Sequence, residues 1–169
     1  MTLPRLVGER ITLRPMVTSD AAAMFAAMSD WNVVQWLTAP PYPYTLQDAD
    51  WFIANGQDDA WTIDLAGQCI GSIGDLPELG YWLAPAHHGQ GYMTEAARLA
   101  VDWHFAQSTD DLRSGHFKGN AASRGVLLKL GFQDTHIEHH FSKPQGKEMV
   151  HQCMCLPRDR WHALRNAQQ

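Results

Sequence analysis

The segment that most restricts the fold reads Tyr81-Trp82-Leu83-Ala84-Pro85-Ala86-His87-His88-Gly89-Gln90-Gly91-Tyr92-Met93-Thr94-Glu95-Ala96. Its apolar opening reads as a strand, two glycines turn the chain after Pro85, and a helix follows from Met93 to about Phe105. Ala96, Leu99, Ala100 and Trp103 recur there at helical spacing. A strand that turns directly into a helix gathers unpaired backbone N–H groups at the positive end of the helix dipole. Gly89 and Gly91 carry no Cβ, so the backbone can approach an anion closely. Such a turn binds a phosphate or pyrophosphate without any basic side chain. The same glycines would equally serve a tight β–α turn with no ligand. The segment is neither the dinucleotide-binding GxGxxG nor the phosphate-binding GxxxxGK[ST] pattern. No acidic residue follows a second parallel strand to hold a ribose.

Around this turn the chain reads as one α+β domain, residues 1–169, with no internal repeat and no linker-like stretch. Glu9 to Arg14 alternates apolar and polar residues as a half-buried strand and stops at Pro15. Ser19 and Asp20 precede the helix-forming run Ala21 to Met28. Pro40, Pro41 and Pro43 forbid a long helix between Trp31 and Tyr44, and Thr45 with Asp48 opens a helix running to about Gly56. Ala60–Leu65 and Gln68–Ile73 form a hairpin about Ala66-Gly67, and Glu78–Leu83 is a third strand. Leu112–Phe117 is a weak strand, and Ala121–Leu130 is a helix between the cap Asn120 and Gly131. Phe132–Phe141 and Glu148–Leu156 are two closing strands joined by Lys143-Pro144-Gln145-Gly146. That order predicts a mixed, mostly antiparallel sheet with one or two parallel crossovers.

A second stretch narrows the reading: Lys118-Gly119-Asn120-Ala121-Ala122-Ser123-Arg124-Gly125-Val126-Leu127-Leu128-Lys129-Leu130-Gly131-Phe132. Together with the glycine turn it resembles the GNAT acyl-CoA N-acyltransferase superfamily, and within it the RimJ/RimL-like branch. The family's phosphate loop, Gln/Arg-x-x-Gly-x-Gly/Ala, aligns with His88-Gly89-Gln90-Gly91-Tyr92-Met93, and His88 is the departure. Leu3 to Pro15 is similar to the first strand of the branch, Pro43-Tyr44-Thr45 with Asp48 to its second helix start, and Glu78 to Leu83 to its fourth strand. Asn120-x-x-Ser123 followed by Lys129-x-Gly131-Phe132 is a further hallmark, so the likeness covers nearly the whole chain.

The resemblance implies a GNAT fold, a sheet of about seven strands flanked by helices and splayed at its fourth and fifth strands. It implies acetyl-CoA as cosubstrate and direct acetyl transfer to a primary amine, a protein N-terminus or a small molecule. The loop from His88 through Gly89, Gln90, Gly91, Tyr92, Met93 and Thr94 would hold the pyrophosphate. The Gly80 to Leu83 strand, with Tyr81, Trp82 and Leu83, would bind the pantetheine arm and the thioester oxygen, assisted by Asn120. Ser123 aligns with the hydroxyl proposed to protonate the departing thiolate, and Glu78 with an acidic residue that takes the amine proton through water. Asp75 and Glu95 are the fallback bases. Trp31, Trp36 and Tyr44 fall where the family builds its acceptor pocket, and a cationic amine could stack on such rings. The competing reading is a CoA-binding or ligand-sensing GNAT module without turnover.

Composition sets the remaining bounds. The charge is 13 basic against 18 acidic residues, net −5, with no basic run, which excludes phosphate-driven binding of nucleic acid. No run of about 18 apolar residues is available to span a membrane. Three cysteines, Cys69, Cys153 and Cys155, do not make a disulfide framework and fit a reducing cytoplasm. His136, His139, His140 and His151 with Cys153 and Cys155 are metal-ligand types, but no CxxC pair or HExxH helix is present, so no metal is expected. Either a monomer or a homodimer agrees with the sequence.

Overall fold

The computed structural model describes residues 2–168, so the ends of the 1–169 domain expected from sequence lie outside the described residues. Among the described residues are eight strands, six α-helices and two short 3-10 turns. A five-stranded antiparallel sheet has the order β1 (Leu6–Val7), β2 (Thr12–Pro15), β3 (Ala60–Leu65), β4 (Gln68–Gly74) and β5 (Gly80–Leu83). A second sheet places β8 (Lys147–Leu156) between β6 (Leu112–Phe117) and β7 (Gln133–Ser142). The strands number eight where about seven were expected, and the extra one arises at the start of the chain.

The expected strand over Glu9–Arg14 is instead two short strands paired Leu6↔Leu13 and Val7↔Thr12. Alternation could not reveal the turn between them. The Arg10 and Ile11 N–H groups donate to Glu95 Oε1 at 2.7 and 3.2 Å and are thereby drawn out of the strand. A Cβ at Gly8 would lie 2.7 Å from the same oxygen. Beyond the prolines' reach, Trp31–Val34 forms the single-turn helix α2, capped by the Asp30 side chain.

Helices α1 (Ala21–Met28) and α3 (Leu46–Asn55) cover one face of the larger sheet. Helix α4 (Tyr92–Gln107) covers the other, presenting Ala96, Ala97 and Ala100, whose small side chains let the helix lie close to Trp61, Ile63 and Ile73. β3 is therefore buried on both faces. On the α1 side this buries Asp20 and part of Asp64, and Arg14 satisfies both, forking onto Asp20 at 2.8 and 2.9 Å and reaching Asp64 at 2.7 Å. Helix α5 (Ala121–Leu130) packs beside α4.

A sixth helix, α6 (Arg158–Asn166), was not legible in the sequence. Its polar run carries one buried anchor, Trp161, whose indole N–H donates to Asp102 at 2.9 Å. No helix of the described residues is long and apolar enough to cross a membrane.

Candidate active site

The two sheets touch through one parallel bridge, Glu78↔Arg113, and then part. Leu79 N–H donates to the Arg113 carbonyl at 2.7 Å, and Ser114 Oγ donates to the Leu79 carbonyl at 2.7 Å. Beyond that point β5 keeps β4 on one side and has no strand on the other. Its register with β4 runs unbroken from Gly74↔Gly80 to Gly71↔Leu83, so the parting needs no bulge in β5. Between β5 and β6 opens a cleft of about 780 Å³. The backbone groups along the open β5 edge are left for a ligand to pair with.

At one end of the cleft lies the loop between β5 and α4. Gly89 and Gly91 both adopt the left-handed conformation, at φ 71° and 82°, and Gly91 caps α4. The backbone N–H groups of residues 89–94 make no hydrogen bond to the described residues. Six unpaired donors at the positive end of a 16-residue helix are an arrangement that can take an anion by backbone alone. A Cβ at Gly89 would meet nothing within 4 Å, so its glycine is required by φ rather than by crowding.

Side chains tie this loop to its neighbours. His88 Nε2 donates to the Leu83 carbonyl at 2.6 Å and ties the loop to the end of β5. Gln90 bonds the Ala86 carbonyl at 3.1 Å and is not among the residues that line the cleft. From outside, Arg10 braces the loop. It donates to the Gln90 carbonyl at 2.8 Å and to Glu95 at 2.9 Å, and its guanidinium lies 4.5 Å from the centre of the Tyr92 ring. Burial raises the Glu95 pKa, but the Arg10 N–H groups and the Ile11 N–H outweigh it and hold the carboxylate below its usual range. Glu95 is therefore a structural clamp and not the fallback base expected from sequence. Arg10 itself carried no motif that could have singled it out.

Across the cleft, Ser123 sits in the first turn of α5. Its Oγ is 2.9 Å from the Tyr81 hydroxyl. Burial pushes the Tyr81 phenol up to about 12, so it stays protonated and the pair shares a hydroxyl proton. Asn120 caps α5 by accepting the Ser123 N–H at 3.2 Å. Glu78 is exposed on the cleft wall with Arg113 at 3.2 Å. Asp75 lines the same wall, and desolvation followed by the nearby Asp59 charge raises its carboxyl pKa.

Of the three aromatics expected at the acceptor pocket, only Trp36 lines the cleft. Trp31 stacks edge-on with Tyr42 at 5.2 Å, away from the cleft. Tyr44 packs into the α1–α3 core beside Trp82, and burial pushes its phenol up to about 12. Tyr81, Trp82, Leu83, Tyr92, Met93 and Thr94 all line the cleft, Met93 with most of its side chain in the core. Among the lining residues that sequence reasoning did not place at the site are His140 and His151, whose rings stack at 4.1 Å across β7 and β8. Strand alternation sets His140 on one face with His136 and Glu138, but does not say that His140 borders the cleft.

Residues 10–133 match the family model described as Acetyltransferase (GNAT) domain. The chain is 37% identical over 79 residues to "Probable N-acetyltransferase YjcK" of Bacillus subtilis, an alignment spanning 46% of this chain and 44% of that protein. Among solved structures, Mycobacterium smegmatis RimJ in complex with CoA-disulfide superposes with a TM-score of 0.75 at 21% identity, over 99% of this chain and 95% of that one. RimL, a ribosomal L7/L12 α-N-protein acetyltransferase in complex with coenzyme A, gives 0.78 at 16% identity, over 93% and 99%. The chain belongs to the GNAT acetyltransferase family.

Proposed function

We propose that this member of the acetyltransferase family moves an acetyl group from acetyl-CoA to a primary amine by direct attack within a ternary complex. The observation that carries the reading is the meeting, in one cleft, of three features: the unpaired N–H run at the start of α4, the open edge of β5, and the Ser123–Tyr81 hydroxyl pair. These fit the cosubstrate part by part. The backbone donors of residues 89–94 suit a pyrophosphate, the β5 edge suits an amide-bearing arm, and the hydroxyl pair lies where that edge faces α5. Acetyl-CoA supplies an activated acyl group on a thiol leaving group.

The chain's residues have three tasks. The β5 backbone from Gly80 to Leu83 holds the arm in register and offers N–H donors where carbonyl charge develops. Ser123 Oγ gives its proton to the departing sulfur, and Tyr81 hydroxyl stands behind it to restore that proton. Glu78 accepts the amine proton through water, competing with Asp75, whose raised pKa suits a base working nearer neutrality. Trp36 offers the acceptor an aromatic wall.

The cysteines argue for direct transfer. Burial first, with nearby carboxylates, pushes Cys69 up to about 12 and Cys153 up to about 11; Cys155 is raised too, and none of the three lines the cleft. None is a ready thiolate nucleophile. The test is thiol release from acetyl-CoA against a panel of small amines and peptides, run with the wild type, Glu78→Gln and Asp75→Asn. A base role for Glu78 requires that its variant alone lose the basic rise of kcat/KM with pH. If only Asp75→Asn loses it, the base is Asp75.

A further inference from the structure

We propose that His136, Glu138 and Cys153 form a binding site for a zinc-class divalent cation on the solvent-facing side of the smaller sheet. The site does not depend on the acetyl-transfer reading. The register of β7 on β8 slips between Asp134↔Met154 and Ile137↔Gln152, so Thr135 and His136 together stand opposite Cys153. Such a bulge re-aims a side chain. Here it brings one donor atom each from His136, Glu138 and Cys153 to within 4.8 Å of one another. His136 Nε2 and Glu138 Oε1 are already 2.8 Å apart. Ligands bound tetrahedrally to zinc at about 2.0–2.3 Å stand roughly 3.5 Å from each other, so small side-chain shifts bring this set to that spacing.

Each donor also has a partner that fixes its direction, as metal ligands require. His136 Nδ1 lies 3.1 Å from Thr135 Oγ1, which leaves Nε2 to face the site. The second oxygen of Glu138 is held by His140 Nε2 at 2.7 Å. Cys153 Sγ lies 3.5 Å from His151 Nδ1, and a Cβ at Gly115 would run into the His151 ring, so a glycine there is what lets that ring settle over β6. One sulfur, one imidazole nitrogen and one carboxylate oxygen select zinc or cobalt over magnesium or calcium, which take oxygen ligands. Three protein ligands, His136 and Glu138 exposed and Cys153 half-buried, leave a fourth position for water. Sequence spacing could not reveal this set, because its members meet across two strands and through a bulge rather than within a CxxC or HExxH motif.

Cobalt reports the thiolate directly. The full chain, freed of metal with a chelator and kept reduced, is titrated with Co²⁺ and then Zn²⁺. The expected result is a near-ultraviolet thiolate-to-cobalt band with visible bands of a four-coordinate ion, both bleached by Zn²⁺. Cys153→Ser removes the band and Cys155→Ser keeps it. His136→Ala, at an exposed position, weakens cobalt binding at least about 10-fold, and Thr135→Val weakens it less with the band retained. A wild type without a thiolate band overturns the proposal, as does a band that survives in Cys153→Ser or an affinity unchanged in His136→Ala.

Discussion

The two ends of the cleft are built from different material. The end at α4 is mainly backbone: six N–H groups and two left-handed glycines, with Arg10 and His88 bracing the loop. The end at α2, β7 and β8 is side chains: Trp36, His140 and His151, with Glu78 and Asp75 along the wall. In the proposed reading, a backbone site suits what every turnover would share, the anionic part of a common cosubstrate. A side-chain site can be changed residue by residue, which suits the partner that varies. Ser123 and Tyr81 stand where the two meet.

That contrast can be broken at four places. The largest effect is expected at the junction, where Ser123→Ala lowers kcat about 100-fold while the Kd for acetyl-CoA, measured by calorimetry, stays within about twofold. An equal loss in both would remove its role as acid. Next, Gly91→Val forces a β-branched residue to φ near 82°. That strain, of about 1–3 kcal/mol, should weaken acetyl-CoA binding roughly 10- to 100-fold and leave the ranking of acceptors unchanged.

A smaller change is expected from Trp36→Ala. It should raise the acceptor KM about fivefold, the loss of about 1 kcal/mol of ring contact, with acetyl-CoA affinity untouched. Trp31→Ala, by contrast, should leave both constants alone. The smallest effect concerns the brace. Glu95 has a folded pKa below its unfolded value of about 4.3, so its stabilisation is complete above that value and lost as pH falls through the lower folded one. Urea midpoints of wild type and Glu95→Gln should differ at pH 7, draw together as pH falls from about 4.3, and meet below the folded value. A gap that persists there would mean that the Glu95 charge does not hold the loop.

The same contrast explains what was legible in the sequence. A backbone site needs particular glycines at particular offsets before a helix, so Gly89, Gly91 and the Asn120–Ser123 cap left a pattern that pointed to the loop, α4 and α5. Strand pairing followed from alternation and turn residues, as in the hairpin about Ala66-Gly67, where both residues take positive φ. The side-chain end left no comparable trace. Trp31, Trp36 and Tyr44 look alike as letters, and only packing puts one in the cleft, one beside Tyr42 and one in the core. His140, His151 and the brace of Arg10 on Glu95 depend on contacts between residues distant in sequence, the last spanning 85 positions. Helix α6 was hidden because one buried tryptophan, not a repeating apolar stripe, holds it in place.

The central claim is that a cleft holding acetyl-CoA by backbone also completes a transfer. The most direct measurement is to mix protein, acetyl-CoA and an amine panel, following free thiol and the mass of the amine in the same sample. The account predicts one thiol released for each amine that gains an acetyl group, with Ser123→Ala slowing both together. Tight binding of acetyl-CoA with neither thiol nor acetylated amine from any member of a broad panel would contradict it and leave a ligand-sensing domain in its place.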